Sequence, residues 1–411
     1  AAEGAGLKAR RLSTSLPDEF TVDHCELDKE YKSAGSTPFR RGKKIGDGAT
    51  AEVRLMRRKG GANDDVYAVK EFRARNPKED EGEYVKKIKS EYSIAKSLHH
   101  PNIVETVRLC THNGRWNHVM EFCAYGEMFT LVKDRHFMPS EHGVPHYKTA
   151  DRLCFFKQLC RGVCYLHDHG IAHRDIKLEN LLLSTTGALK ITDFGVSEVF
   201  SGEHPGMRAA RGQCGKNMSP SIRVCGPGIC GSTPYIAPEV LSKQSSYDPR
   251  PLDVWSSAIV LFYLCMAPPW SEASEKDIQY LSYTHMWTDW LSRHPDGKIF
   301  DGPDGQPKTV NAFSRLDNPN VKRLMIKMLA PDPKHRISMR EVLATPTMRA
   351  VECCTPDGFG DEGGEAVGKV DARDLKGAKV QVVKKHNHAP PKGGKLPGFL
   401  QHRFDMGAGW S

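Results

Sequence analysis

His173-Arg174-Asp175-Ile176-Lys177-Leu178-Glu179-Asn180 is followed, a short way on, by Asp193-Phe194-Gly195. Together the two stretches set down a carboxylate, a cation and two further oxygen donors in a fixed order. Asp175 can accept or orient the proton of an incoming hydroxyl, and Lys177 adds a fixed positive charge close by. Asn180 and Asp193 carry the hard oxygen ligands that Mg²⁺ prefers. Either tripeptide alone reads as a surface turn with a solvated ion pair. The order of the whole set carries the reading, as do Leu181–Leu183 and Leu189–Ile191, which read as two short strands around a Ser-Thr-Thr-Gly turn. Phosphoryl transfer needs such a set, because a site of that kind positions a nucleophile and spreads countercharge around phosphate and metal.

A matching nucleotide half lies upstream. Ile45-Gly46-Asp47-Gly48-Ala49-Thr50-Ala51-Glu52-Val53 places two glycines where a backbone must pass close over phosphates, then returns to a strand pattern. Val66-Tyr67-Ala68-Val69-Lys70 is an apolar strand closed by a lysine, which is costly to bury unless paired. Lys70 therefore calls for nucleotide phosphates on one side and a carboxylate on the other. Glu91 is the preferred partner and is read as opening a helical segment in which Ile94 and Leu98 share a face. Glu83 is the inferior rival, since it lies nearer the start of the helix.

These motifs resemble the eukaryotic protein kinase family over roughly residues 39–347. The resemblance implies an α+β, two-lobed fold: a small lobe, about 39–122, with an antiparallel β-sheet and one main helix, and a larger mainly helical lobe, about 123–347. It implies ATP and Mg²⁺, with Asp175, Lys177, Lys70 and Glu91 as catalytic residues and Asn180 and Asp193 as metal ligands. Nucleotide would meet Ile45, Gly46, Gly48, Val53, Ala68 and Lys70. It would also meet Met120 at the back of the pocket and backbone groups of Glu121 and Cys123. Ala51 stands where the third glycine of the family usually falls. Glu239 of Ala237-Pro238-Glu239 is expected to pair with Arg336, and Asp253 to tie down the catalytic loop. Lys177, two positions after the base, and Ser232, expected to touch it, are the serine/threonine pattern. Protein substrates with Ser/Thr acceptors follow. A kinase-fold scaffold that binds without turnover is the alternative.

A narrower resemblance is carried by Gly126–Val132, Tyr247–Ala258, Glu352-Cys353-Cys354 and His386-Asn387-His388. These are similar to the fungal halotolerance and nitrogen-permease-reactivator kinases, a family associated with plasma-membrane nutrient and potassium transporters, so a membrane-transporter pathway is implied.

Composition agrees with one catalytic unit in 411 residues. No apolar run is long enough for a transmembrane segment; Ala258–Met266 stops at Pro268-Pro269 and reads as a buried helix. The chain opens on Ala-Ala-Glu with no signal-peptide pattern, and the missing methionine hints at a trimmed or processed start. A cytoplasmic protein is expected, with a peripheral location at the plasma membrane left open. Net charge is +9. The lysines 369, 376, 379, 384, 385, 392 and 395 sit among glycine and proline, so residues 348–411 read as a solvated, partly disordered extension. Without interleaved aromatics they make no nucleic-acid platform. Residues 1–38 read as a flexible segment in which Arg10-Arg11-Leu12-Ser13 matches a basic-directed phosphorylation site.

Twelve cysteines without a repeating frame fit reduced thiols. Cys154, Cys160 and Cys164 read as core residues of an apolar helix; Cys214, Cys225 and Cys230 crowd the long stretch between Asp193 and Glu239, where ordinary loop thiols are preferred over zinc ligands or redox sensors. Arg174 would grip a phosphate placed on this segment by an upstream kinase, with Ser219 and Ser221 the nearest hydroxyls. Ala95, where many active kinases carry a larger apolar residue, adds to the expectation of low basal activity. Glu127 and Glu179 would favour basic residues near the acceptor if they face the peptide.

Overall fold

Val53 and Lys70 face each other across the hairpin in which β4 (Ala51–Arg58) and β5 (Val66–Phe72) pair antiparallel over seven registered positions. The computed structural model describes residues 22–34, 44–47, 51–60, 66–139, 143–206, 222–316, 318–356, 382–383 and 386–391. Gly48, Ser219, Ser221, Cys214, the Arg10–Ser13 motif and the seven tail lysines lie outside the described residues.

Around that hairpin β6 (Thr106–His112) and β7 (Arg115–Glu121) pair antiparallel, β7 joins β5, and β3 (Lys44–Asp47) joins β4. Two strands come from the segment read as loose. β1 (His24–Glu26) pairs with β6 in parallel, and β2 (Tyr31–Ser33) pairs antiparallel with β4. The sheet is therefore mixed rather than purely antiparallel, with strand order β1-β6-β7-β5-β4-β2. Only the four residues of α1 (Leu27–Glu30) separate its two outermost strands. A helix of that length spans about 6 Å, so the sheet must curl until its ends nearly meet. Leu27, Tyr31, Met56, Val69, Cys110 and Val119 fill the inside of the curl. Residues 22–34 thus correct the expectation of a flexible segment: Leu27 and Tyr31 bury enough apolar surface to hold it.

The small lobe carries α2 (Glu81–Ser97), which starts where the Asp80 carboxylate accepts from Glu83 N. The helix begins ten residues before Glu91, with Glu83 in its first turn as expected, so Glu91 lies in its interior. Ile88 and Tyr92 face the sheet in a cluster with Phe72 and Leu109, while Ile94 and Ala95 join the large-lobe core. That core surrounds α4 (Thr149–Asp168) and the helix Pro249–Cys265, the apolar run predicted to be buried. The short β8 (Gly126–Glu127), α3 (Met128–Lys133) and β9 (Ile171–Ala172) link hinge to catalytic loop. β10 (Leu181–Leu183) and β11 (Leu189–Ile191) form the expected hairpin, with Gly187 at a φ of +82° in its turn. β12 (Glu198–Val199) pairs back onto β9.

Candidate active site

Lys70 reaches across the cleft between the lobes. Its Nζ lies 2.7 Å from Glu91 Oε1 and 3.1 Å from Asp193 Oδ1. Glu91 is 5% exposed and Lys70 11%, whereas Asp193 keeps 33% toward solvent. One buried ammonium thus holds α2 and the Asp193 turn to the same strand. Glu91 is the partner, as expected, and Glu83 donates its backbone N–H to the helix cap instead.

The catalytic loop is pinned from below. Asp253, fully buried at the start of the helix Pro249–Cys265, accepts from His173 N and Arg174 N, both at 2.8 Å, and lies 3.0 Å from His167 Nε2. Arg174 and Asp193 both sit at left-handed φ, 64° and 66°. Such backbones cost about 1–3 kcal/mol each and persist only where surroundings over-determine them. Here the Asp253 carboxylate clamps one and Lys70 the other. His173 closes the link, with Nε2 3.0 Å from Thr192 O and its ring edge-on to buried Phe194.

Asp175 divides its two oxygens. Oδ2 receives Lys177 Nζ at 2.9 Å and Asn180 Nδ2 at 3.1 Å. Oδ1 is buried and accepts no hydrogen bond among the described residues. A buried lone pair of that kind is costly unless something donates to it. Gly231, at a φ of +98°, passes so close that an added Cβ would lie 3.2 Å from Arg174 O and 3.6 Å from this Oδ1. Lys177 also donates to Ser232 Oγ at 3.1 Å, as the sequence suggested. Burial pulls the Lys177 pKa down, but the Asp175 carboxylate outweighs it and leaves the ammonium above its usual value.

Asn180 spends its Nδ2 on Asp175 O at 2.8 Å and on Oδ2. A planar amide then turns Oδ1 the other way. Thr192 N donates to Asn180 O at 3.0 Å, which ties Asn180 to the strand end that presents Asp193. An amide oxygen and a carboxylate are the hard donors that Mg²⁺ takes, so the residues fit that ion.

Val53, Ala68, Met120 and Cys123 pack with Val104 and partly buried Leu182 to line the apolar slot expected to receive the base. Burial pushes the Cys123 thiol up to about 12, which keeps it protonated and apolar. The Glu121 carboxylate points away from the slot, receiving Lys190 Nζ and Glu105 N, each at 2.7 Å, so its backbone is what remains to meet a nucleotide. Ile45 and Gly46 are described only as strand backbone. Behind Lys70 lies a small cavity lined by Glu91, Ala95, His118, Met120 and Phe194. His118 was not legible as a site residue, because it reads as one more polar position in a half-buried strand. It is 4% exposed, meets Thr106 Oγ1 at 3.1 Å, and burial pulls its pKa down to about 3.

Glu239 and Arg336 form the expected pair, bidentate at 2.7 and 3.0 Å, with the Arg336 side chain fully buried. Arg174 departs from expectation. Its guanidinium donates to Val196 O at 2.7 Å and Cys225 Sγ at 3.4 Å, with Glu198 Oε2 4.0 Å away. The place read as a phosphate receiver is already filled by a carbonyl, a thiol and a carboxylate. Cys225 and Cys230 are buried rather than ordinary loop thiols, and burial raises both pKa values, Cys230 to about 11. Cys154, Cys160 and Cys164 are all buried core residues as read, Cys154 packing against Cys353 and Cys354 of the extension.

A family described as Protein kinase domain matches residues 39–348. The chain is 36% identical over 320 residues to the Saccharomyces cerevisiae serine/threonine-protein kinase HAL4/SAT4, covering 75% of this chain and 46% of that protein. It is 39% identical over 257 residues to the Schizosaccharomyces pombe serine/threonine-protein kinase oca2, covering 62% and 33%. To the Saccharomyces cerevisiae nitrogen permease reactivator protein it is 32% identical over 337 residues, covering 76% and 39%. The chain spans less than half the length of these relatives.

Proposed function

Because the chain belongs to the protein kinase family, we propose that it transfers the γ-phosphate of ATP to serine and threonine hydroxyls of proteins. The observation that carries this reading is Lys70, held at once by Glu91 and Asp193. A scaffold that only bound nucleotide would have no use for that arrangement together with a buried, unaccepting Asp175 Oδ1.

The chain's own residues divide the work. Asp175 Oδ1 receives the hydrogen bond of the acceptor hydroxyl and takes its proton as the oxygen attacks. Lys177 sits on the other oxygen of that carboxylate and adds charge at the transferring group; Ser232 holds Lys177 in place. Lys70 orients the phosphates, and the apolar slot of Val53, Ala68 and Met120 seats the base. Bound through Asn180 and Asp193, Mg²⁺ would supply charge neutralisation at the phosphates. Glu179 supports a preference for basic residues near the acceptor: its Oε2 is buried without a hydrogen-bond partner among the described residues. Glu127 is 2% exposed and less open to a peptide.

The likeness to a nitrogen permease reactivator protein supports a role in regulating membrane transporters. No helix among the described residues is long and apolar enough to cross a membrane.

The test is phosphate incorporation from Mg-ATP into a Ser/Thr peptide array by the purified chain. Wild type should turn over, while Lys70→Met and Asp193→Ala should fall by about 100-fold or more, ~2.7 kcal/mol of transition-state stabilisation. Equal rates in all three proteins would overturn the reading. Nucleotide-dependent melting shifts without turnover would favour the scaffold.

A further inference from the structure

Cys154, Cys354, His386 and His388 come from three distant parts of the chain and place one ligand atom each within 4.8 Å of every other. The geometry points to a structural zinc site at these four residues, fastening the C-terminal extension to the large lobe. Two thiols and two imidazoles are the donor set of closed, four-coordinate Zn²⁺ centres. With Zn–S of about 2.3 Å and Zn–N of about 2.0 Å, ligand atoms spaced as these are need close only by roughly 1 Å.

The surroundings prepare each ligand. His388 Nδ1 meets Gly187 O at 2.7 Å, which makes Nδ1 the protonated nitrogen and leaves Nε2 to coordinate. The His386 Nε2 is buried and has no hydrogen-bond partner among the described residues. A nitrogen in that position has an unmet need for a proton donor or a metal. Cys154 Sγ accepts from Cys354 N at 3.2 Å and from Gln158 Nε2 at 3.4 Å, the kind of donors that stabilise a thiolate. Cys354 Sγ lies 3.7 Å from His386 O. Lys157 and Arg161, on the same helix as Cys154, add positive charge: Lys157 Nζ donates to Val351 O at 2.9 Å and Arg161 to Cys353 Sγ at 3.3 Å. Asp151 Oδ1 lies 3.8 Å from His388 Nε2 at the edge of the cluster.

The extension is arranged to deliver these residues. β13 (Thr355–Pro356) pairs antiparallel with β14 (Val382–Val383), so Cys354 and the His-Asn-His run are brought side by side. Tyr147 then donates to His388 O at 3.1 Å, and His146 Nε2 lies 2.8 Å from Ala389 O. Binding replaces two S–H protons, which leave to solvent as the thiolates bond the ion, so no oxidant or reductant takes part.

The site reaches the active site through Gln158. Its Nε2 touches Cys154, and its Oε1 accepts from Leu189 N at 2.8 Å in the strand that leads to Asp193.

The full chain, purified without chelator, should carry about one equivalent of zinc by elemental analysis. Replacement by Co²⁺ should give the visible bands of tetrahedral cobalt with thiolate charge transfer. Cys354→Ser and His386→Ala should each lower retained zinc at least tenfold after dialysis against a weak chelator; Cys353→Ser should keep it. The cobalt spectrum of the unaltered chain decides the matter even if a variant fails to fold. A chain that takes up neither metal, or that carries a Cys154–Cys353 disulfide in place of metal, overturns the inference. So does zinc that survives Cys354→Ser but is lost in Cys353→Ser.

Discussion

Arg174 donates to Cys225 Sγ at 3.4 Å, at the position where the sequence led us to expect a phosphate. With Val196 O and Glu198 completing its surroundings, the buried guanidinium has its countercharge supplied by the protein itself. Burial pulls the Arg174 pKa down, yet the neighbouring thiols, Tyr247 and Glu198 raise it overall. Exhaustive phosphatase treatment should therefore change turnover by less than about threefold, under 1 kcal/mol. Glu198→Gln should lower it by about tenfold, ~1.4 kcal/mol, by leaving that cation under-compensated. Rates on a peptide substrate check both; a large loss on dephosphorylation would contradict the reading.

Breaking the Glu239–Arg336 pair should be costly. Arg336 also donates to the carbonyls of Ala330, Pro331 and Pro251 and lies over the Trp255 ring at 4.9 Å, so Arg336→Ala strands a carboxylate and three carbonyl acceptors at once. A loss of about 3–5 kcal/mol in unfolding free energy is expected. Arg336→Lys should rescue only part of it, because an ammonium lacks the bidentate fork. Urea denaturation measures both, and a loss under about 1 kcal/mol for Arg336→Ala would count against the assignment.

His118 makes stability depend on pH. Its folded-state pKa, about 3, lies below the usual 6.5 because burial disfavours the charged ring. Lys70 on β5 adds to that effect and Asp193 opposes it, while Tyr92 of α2 packs edge-on. The unfolded chain thus binds a proton that the folded one refuses. The stabilising share is present above about pH 6.5 and is lost as pH falls toward 3, by about 1 kcal/mol for the first unit below 6.5 and about 1.4 kcal/mol for the next. His118→Leu should flatten the stability profile between pH 6.5 and 5. Identical slopes in the two proteins would refute the account.

Glu179 should govern the preference for basic residues in a peptide. A guanidinium from the substrate would supply the donor its buried Oε2 lacks. Glu179→Gln should cut discrimination between basic and neutral peptides by about tenfold with little change on neutral ones. Arrays run with both proteins test this, and an unchanged profile would remove the proposal.

Much of the site could be read along the chain because its parts are local. Asp175, Lys177 and Asn180 lie within one loop whose order already states its chemistry, and Lys70 stands out as a charge closing an apolar strand. Glu91 needed one further step, a helix face, because the first turns of its helix, Glu81–Lys87, are too polar to show apolar periodicity. The parallel pairing of β1 with β6 was not legible, since three residues of strand carry no register signal of their own. Cys154 and Cys354 escaped for a different reason: two hundred residues separate them, and only the folded chain brings their sulfurs toward His386 and His388. His118 gave no sign because its environment, not its neighbours in sequence, removes its charge.

The curl of the small-lobe sheet has a practical side. An expression clone started at residue 39, where the family match begins, would delete β1 and β2 together. Both flanks of the sheet would then show unsatisfied peptide groups, an invitation to intermolecular strand addition. Shortened proteins of this design should clump at concentrations where chains retaining residues 22–34 stay monomeric.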